Sequence, residues 1–282
     1  MKRFIFAFAF LFLALPFIAR AQEPPQVVTD PTQAFIAGGF VVKGEGAAPT
    51  DRPLSPAQKR ILALRAAKVT ALRELAEILD GVAISGETIV KDAAASSDTI
   101  RAAVQGMVKG AKVIQEAYDP TSEMAAVYVS ISVHGSNGLT GQLLPQMLPS
   151  LPPPSAPAYM PPAAPPAQAQ PYDALILDIK EFSFKPALIN RILAQNGEII
   201  YDPTKIAQNI LVERGAGDYT NDVGKAKAIL SERGVKNPLI VKVAGVVKFT
   251  DVQVNGDDAA NIFAANQKTN FLEGAKVVFV LK

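Results

Sequence analysis

His134 is the single histidine of a chain that contains no cysteine. Imidazole is the side chain most often used for general acid–base work, and a Ser–His–Asp arrangement assembles in space rather than in sequence. Here the histidine ends an alternating strand pattern beside Gly135, and no sequence neighbour would orient it. It is expected to face solvent. One histidine and no thiolate cannot build a histidine-rich zinc site; only an all-carboxylate site for a hard cation stays open. In "DVQVNGDDAANI", Asp251, Gln253, Asn255 and Gly256 follow the first half of a calcium loop. The twelfth position is Ile262, where a bidentate glutamate is required, so a turn and a helix cap account for the same residues. Gly38, Gly39, Gly44 and Gly46 lack dinucleotide or P-loop spacing and read as glycines bounding a short strand. Asp257 with Asp258, and Glu74 with Glu77, are explained by helix dipole and solvated faces. No catalytic, cofactor-binding or metal-ligating residue is assigned, and no cofactor is expected.

The elements that would have to position any site come in two groups. The chain has 282 residues, enough for two ordinary domains with their own cores. Lys2 and Arg3, the apolar run Phe4 to Leu15, and Ala19-Arg20-Ala21 form a secretory signal peptide over 1–21, cut near Ala21; the run is too short to span a bilayer. Without Lys2, Arg3 and Arg20, the 28 basic residues fall to 25 against 26 acidic ones, a net charge of about −1. That balance offers no basic stripe for nucleic acid. The absence of cysteine excludes disulfides, a thiol nucleophile and a lipid anchor on cysteine. The expected location is the periplasm or the medium.

Half of the 22 prolines lie between Pro145 and Pro171. Such a stretch favours polyproline II and reads as a semi-rigid linker over 143–171. Before it, residues 22–142 form an α+β pattern. A helix starts at Ser55-Pro56, with a capping residue followed by proline at the first helical position, and runs to about Leu79. Leu62, Ala66, Val69, Leu72, Ala76 and Leu79 make one stripe, and Gly81 is the expected left-handed stop. Val82, Ile84 and Thr88 to Val90 read as strand, "DAAASSD" as a polar cluster, and Ile100, Val104, Met107 and Val108 as a second helix ending near Gly110. A hairpin turns at Asp119-Pro120; Val127, Val129, Ile131 and Val133 alternate with polar residues, the mark of an antiparallel sheet with one wet face.

After the linker, residues 172–282 form a second α+β domain. "ALILDI" reads as a buried strand, Asn196-Gly197 as a hairpin turn, and 203–212 and 222–233 as helices, the latter closed by Gly234. Strands are expected in "NPLIVKVAGVVKFTDVQV" and "AKVVFVL", with a helix between them capped by Asp257. The fold class is thus α+β, two domains each with an antiparallel or mixed sheet packed by helices.

The helix "AAKVTALRELAEILDGV", the spacing Val104-x-Gly106-x-x-x-Gly110 and the strand Ala125-x-Val127-x-Val129 resemble the twenty-kilodalton lipoprotein family of bacterial envelopes, over Ala34 to Val133. That family includes a flagellar basal-disk lipoprotein and resembles one domain of a flagellar assembly protein. The resemblance implies a non-enzymatic, assembly-forming envelope component. Here it would lack the lipid anchor, since no cysteine is present. "LILDIKEFSFKPALINRI…NGEIIY" looks like a domain found beside such modules in exported proteins.

The expectation is therefore a structural or assembly protein of the envelope with protein partners, self-association among them, through an exposed sheet edge. Two alternatives carry their own tests. A periplasmic ligand- or cell-wall-binding module needs a pocket in the second domain. An unrecognised hydrolase needs His134, or two buried carboxylates, in a cleft.

Overall fold

The computed structural model describes residues 23–150, 156–161 and 171–282; the signal peptide expected at 1–21 lies outside them. The fold is α+β, with eight α-helices and thirteen strands among the described residues. None of these helices is long and apolar enough to cross a membrane.

In the first half, α1 (Pro31–Ala37), which the sequence did not announce, precedes β1 (Gly39–Ala47), the short strand expected among Gly38 to Gly46. The helix was hidden by "AFIA", which fits either state. Its signals are Asp30, whose side chain accepts from the Gln33 N–H at 2.9 Å, and Gly38, whose φ of 78° makes it the left-handed stop. The long helix α2 (Pro56–Asp80) starts as expected, with reciprocal Ser55 and Gln58 hydrogen bonds forming a capping box. Two expectations for α2 are corrected. Gly81 ends it in a right-handed conformation, φ −84°. The buried stripe is Ala63, Ala67, Ala71, Leu75 and Leu79, which shares only Leu79 with the expected set, and Val69 is exposed.

The small buried face of α2 has a physical reason. It lies on β1, and a Cβ added at Gly44 would stand 2.2 Å from the Ala67 carbonyl oxygen. At Gly46 it would stand 2.3 Å from the Ala67 nitrogen. The glycines therefore do not bound the strand. They sit inside it and let helix backbone and strand backbone approach.

Beyond α2, β2 (Ala83–Ser85) pairs with β3 (Thr88–Ile89), and α3 (Val90–Ser96) fills the expected polar cluster. Next come α4 (Asp98–Lys109), β4 (Lys112–Asp119), β5 (Met124–Ser132) and α5 (Leu139–Met147). An antiparallel sheet runs in the order β1-β5-β4. Val127, Val129, Ile131 and Val133 are buried as the alternation predicts, but so is Tyr128. Helix α5 crosses the expected linker boundary at 143: Leu143, Leu144 and Met147 are core residues despite Pro145.

The second half contains β6 (Ala174–Asp178), β7 (Ile192–Ala194), β8 (Ile199–Tyr201), α6 (Gln208–Arg214), β9 (Asp218–Thr220), α7 (Val223–Glu232), β10 (Pro238–Lys242), β11 (Gly245–Val247), β12 (Asp251–Val254), α8 (Gly256–Thr269) and β13 (Val277–Val280). One sheet, β10-β6-β13-β9, is wholly parallel. Its central strands, β6 and β13, are buried on both faces, as central parallel strands require, while the edge strand β10 leaves Ile240 exposed. Ala174, Ile176, Val278 and Val280 meet Ala226 and Leu230 of α7, while Leu175, Leu177, Val277 and Phe279 face the main core. The second sheet, β11-β12-β7-β8, is mixed, with the Asn196-Gly197 turn joining β7 to β8.

The two halves share one core. Phe35 of α1 meets Tyr219 of β9 edge-on at 5.3 Å, and Tyr219 stacks on Phe279 at 5.3 Å. The N–H groups of Leu188 and Ile189 donate to the carbonyls of Ala83 and Ile84 at 3.1 and 2.9 Å, so the β2 backbone finds partners across the division. Thr140 donates its hydroxyl to the Val212 carbonyl at 2.7 Å.

The β11–β12 turn, Val247 to Thr250, places two non-glycine residues in the left-handed region, Lys248 at φ 49° and Phe249 at φ 64°. A two-residue turn of this kind normally takes Asn-Gly. Phe249→Gly is expected to stabilise the protein by about 1 kcal/mol, less a fraction for the lost Lys185 contact over the ring. A rise of a few degrees in the thermal midpoint checks this; a fall would refute it.

Candidate functional site

His134 follows β5 and packs its ring on Gly215, where an added Cβ would lie 2.6 Å from the imidazole Cε1. Gly215 has φ 69° and ends α6, so the histidine is wedged between the halves. The expected solvent-facing position is thus corrected: the ring is mostly covered, and its Nδ1 is buried with no hydrogen-bond partner among the described residues. Burial, with Arg233 adding to it, pushes the imidazole from 6.5 to about 4. Among the described residues no hydroxyl or carboxylate hydrogen-bonds this Nδ1, the contact that would orient the ring in a nucleophilic relay.

Beyond the histidine, buried charges hold loops. Arg233 grips Asp218 at the start of β9, with Nη1 2.6 Å from Oδ2 and Nη2 donating to Oδ1 at 2.7 Å. Burial nevertheless leaves the Asp218 carboxyl above its ordinary value, the arginine offsetting only part of the desolvation. A second network surrounds Asn190, which is fully buried. Its Oδ1 accepts from the Tyr219 hydroxyl and, at 3.0 Å, from the Ala187 N–H, and its Nδ2 donates to the Thr250 carbonyl. Asp251 accepts from the Arg191 N–H at 2.8 Å, and burial raises its carboxyl. The calcium-like pattern is accounted for by strand and helix: Asp251 is a strand residue tied to Arg191, and Ile262 lies inside α8. The α8 cap is Asn255, whose side chain accepts from the Asp258 N–H at 2.8 Å, in place of the expected Asp257. Among the described residues no cluster of three His, Asp or Glu could hold a metal.

Two concavities bear on function. One is a groove of about 410 Å³ between the end of α4 and β5, lined by Gly106, Lys112, Ser130, Ser132, Asn137 and Gln142. The other is a cavity of about 200 Å³ in the second half, beside β8 and α8. Tyr159 and Phe263, edge-on at 5.7 Å, and Leu272 supply its apolar lining. Asp202, Lys205, Asn266 and Glu273 supply polar groups. Asp202 follows β8 directly; its Oδ1 accepts from the Thr204 N–H at 3.1 Å and lies 3.4 Å from Arg191 Nε. Its Oδ2 is buried and has no hydrogen-bond partner among the described residues. Tyr159 comes from the proline-rich stretch, which returns to the fold here: its N–H donates to the Ile199 carbonyl at 2.9 Å, and the Ile199 N–H donates to Pro157 at 2.8 Å.

None of these cavity residues stood out in the sequence. Asp202 precedes proline and resembles a turn residue, and Asn266 and Glu273 lie where a helix ends. The one available signal was Tyr159, an aromatic residue inside a proline run.

Residues 174–282 match the family model described as Treponema pallidum Tp0624, second domain. No curated protein matches the chain. This corrects the resemblance drawn over Ala34 to Val133: the family found is neither the twenty-kilodalton lipoproteins nor a flagellar one. The quoted residues explain the mistake. Most of them are small or apolar, and in this fold those of α2 and β5 serve helix-on-strand packing, a need that unrelated α+β proteins share.

Proposed function

We propose that this chain is a non-enzymatic protein of the bacterial envelope, released near Ala21 into the periplasm or the medium, which works by holding other molecules. The observation that supports this best is the outer edge of β4. Among the described residues no strand pairs with it, and it presents eight residues of backbone with Ile114 exposed. A free edge is a template for a second chain, and an added strand gains main-chain hydrogen bonds without any pre-formed pocket. A second copy of the chain is the simplest partner. The mature protein is expected to scatter light as a species larger than a monomer. Ile114→Lys, which places a charge on the edge, should return it to a monomer. A strict monomer at high concentration would remove the assembly reading.

The second-half cavity favours a further reading, a module that holds a small ligand. It combines an apolar aromatic lining with a few converging polar groups, the composition expected of a ligand site.

A further inference from the structure

We propose that the outer face of α2 docks on the anionic headgroups of a phospholipid bilayer, with Ile61 and Val69 entering the interface. This goes beyond the assembly reading and names the surface on which the molecule rests.

The near-neutral charge of the chain conceals a local imbalance. From Pro56 to Arg73, α2 carries Lys59, Arg60, Arg65, Lys68 and Arg73 and no acidic residue. Its remaining residues include Glu74, Glu77 and Asp80 and no base. Both halves oppose the helix dipole, which favours acids at the start and bases at the end. A helix face that is merely solvated gains nothing from that order, and residues that break a local rule collect at functional surfaces. Lys59 is paired, with Nζ 2.5 Å from Glu123 Oε1. Arg60, Arg65, Lys68 and Arg73 are exposed and make no ion pair among the described residues.

The alanine face of α2 lies on β1, so the opposite face points away from the sheet. There, two adjacent rows at four-residue spacing alternate apolar and cationic side chains. Ile61, Arg65, Val69 and Arg73 make one row; Arg60, Leu64, Lys68 and Leu72 make the other. Ile61 is 59% exposed and Val69 53%. They stand roughly 12 Å apart along the axis, at ~1.5 Å per residue. Leu64 and Leu72 are partly buried against the core.

A bilayer interface accepts this mixture. Aliphatic side chains reach the acyl boundary, while long cationic ones lie beside them and hold phosphates. A helix ridge is convex and suits a flat, deformable surface. Nucleic acid is the poorer match, because α2 has no aromatic side chain on which a base could stack. None of the described helices can cross a membrane, so the contact is peripheral.

Co-sedimentation of the mature full chain with phospholipid vesicles tests the proposal. Vesicles of phosphatidylcholine mixed with phosphatidylglycerol should carry the protein down, and pure phosphatidylcholine should not. Salt at about 1 M, where the Debye length is about 3 Å, should release most of it. Arg65→Gln and Lys68→Gln should each weaken binding about fivefold, the worth of one cation near an anionic surface. Val69→Ser should weaken it about tenfold and leave its salt dependence unchanged. All three side chains are exposed, so the thermal midpoint should not move. Lys227→Gln, on the exposed side of α7, is the control and should bind like the unsubstituted protein. Equal binding to neutral vesicles, binding to neither, or binding unmoved by the α2 substitutions would overturn the proposal. Capture by duplex DNA with the vesicles ignored would overturn it too. Light scattering without vesicles is untouched by these outcomes and judges the assembly reading separately.

Discussion

Replacing Gly44 or Gly46 with alanine is expected to cost more than ~3 kcal/mol and to leave little folded protein at ambient temperature. Each new methyl would meet main-chain atoms of α2, at 2.2 Å from the Ala67 oxygen for Gly44 and 2.3 Å from the Ala67 nitrogen for Gly46. A flexible side chain could swing aside. Helix backbone cannot, so the whole of α2 must lift from β1 and open the core at Ala63, Ala67 and Ala71. Gly106→Ala is the matched control: its Cβ would meet nothing within 4 Å, and it lies inside α4. There alanine should stabilise by up to ~1 kcal/mol through helix propensity. Urea denaturation midpoints measure all three. Similar costs at Gly44 and Gly106 would refute the close-approach argument.

Acid is expected to weaken the fold through His134. Its imidazole falls from 6.5 to about 4 on folding, so the folded state favours the neutral ring. A depressed value means the stability it supplies is complete above pH 6.5 and is lost as pH falls toward 4. The loss by then is on the order of 3 kcal/mol, since each unit is worth ~1.4 kcal/mol. Asp218 and Asp251 are raised and act in the opposite sense, their contribution growing as pH falls. Comparison with His134→Phe removes them. That variant keeps a ring against Gly215 and should lack the decline between pH 6.5 and 4. Parallel curves for the two proteins would show that the imidazole does not titrate at the junction.

Periodicity and punctuation made much of this architecture readable beforehand. Ser55-Pro56, Asn196-Gly197, Gly234 and the alternation up to Val133 each acted locally, and local signals survive folding. The failures were of other kinds. The α2 stripe was misplaced everywhere but Leu79 because leucine and valine outweigh alanine on any hydropathy scale, whereas glycines at 44 and 46 demanded the alanines. Helix α1 was lost because four apolar residues do not distinguish helix from strand. The junction of the halves was invisible, since nothing near Leu188 in sequence announces that its N–H donates to Ala83. The cavity failed for the same reason: Tyr159, Asp202, Phe263 and Glu273 are brought together only by topology. The family likeness misled where its motif was itself a packing motif.

The proline-rich stretch leaves α5 and re-enters at β6, and both belong to one packed body. It therefore acts thermodynamically as a ring closure, and its length sets an entropy rather than a distance. Doubling such a loop costs only ~0.6 kcal/mol. Lengthening the segment between α5 and β6 is therefore expected to cost little stability, as long as Pro157–Met160 keeps its backbone bonds to Ile199.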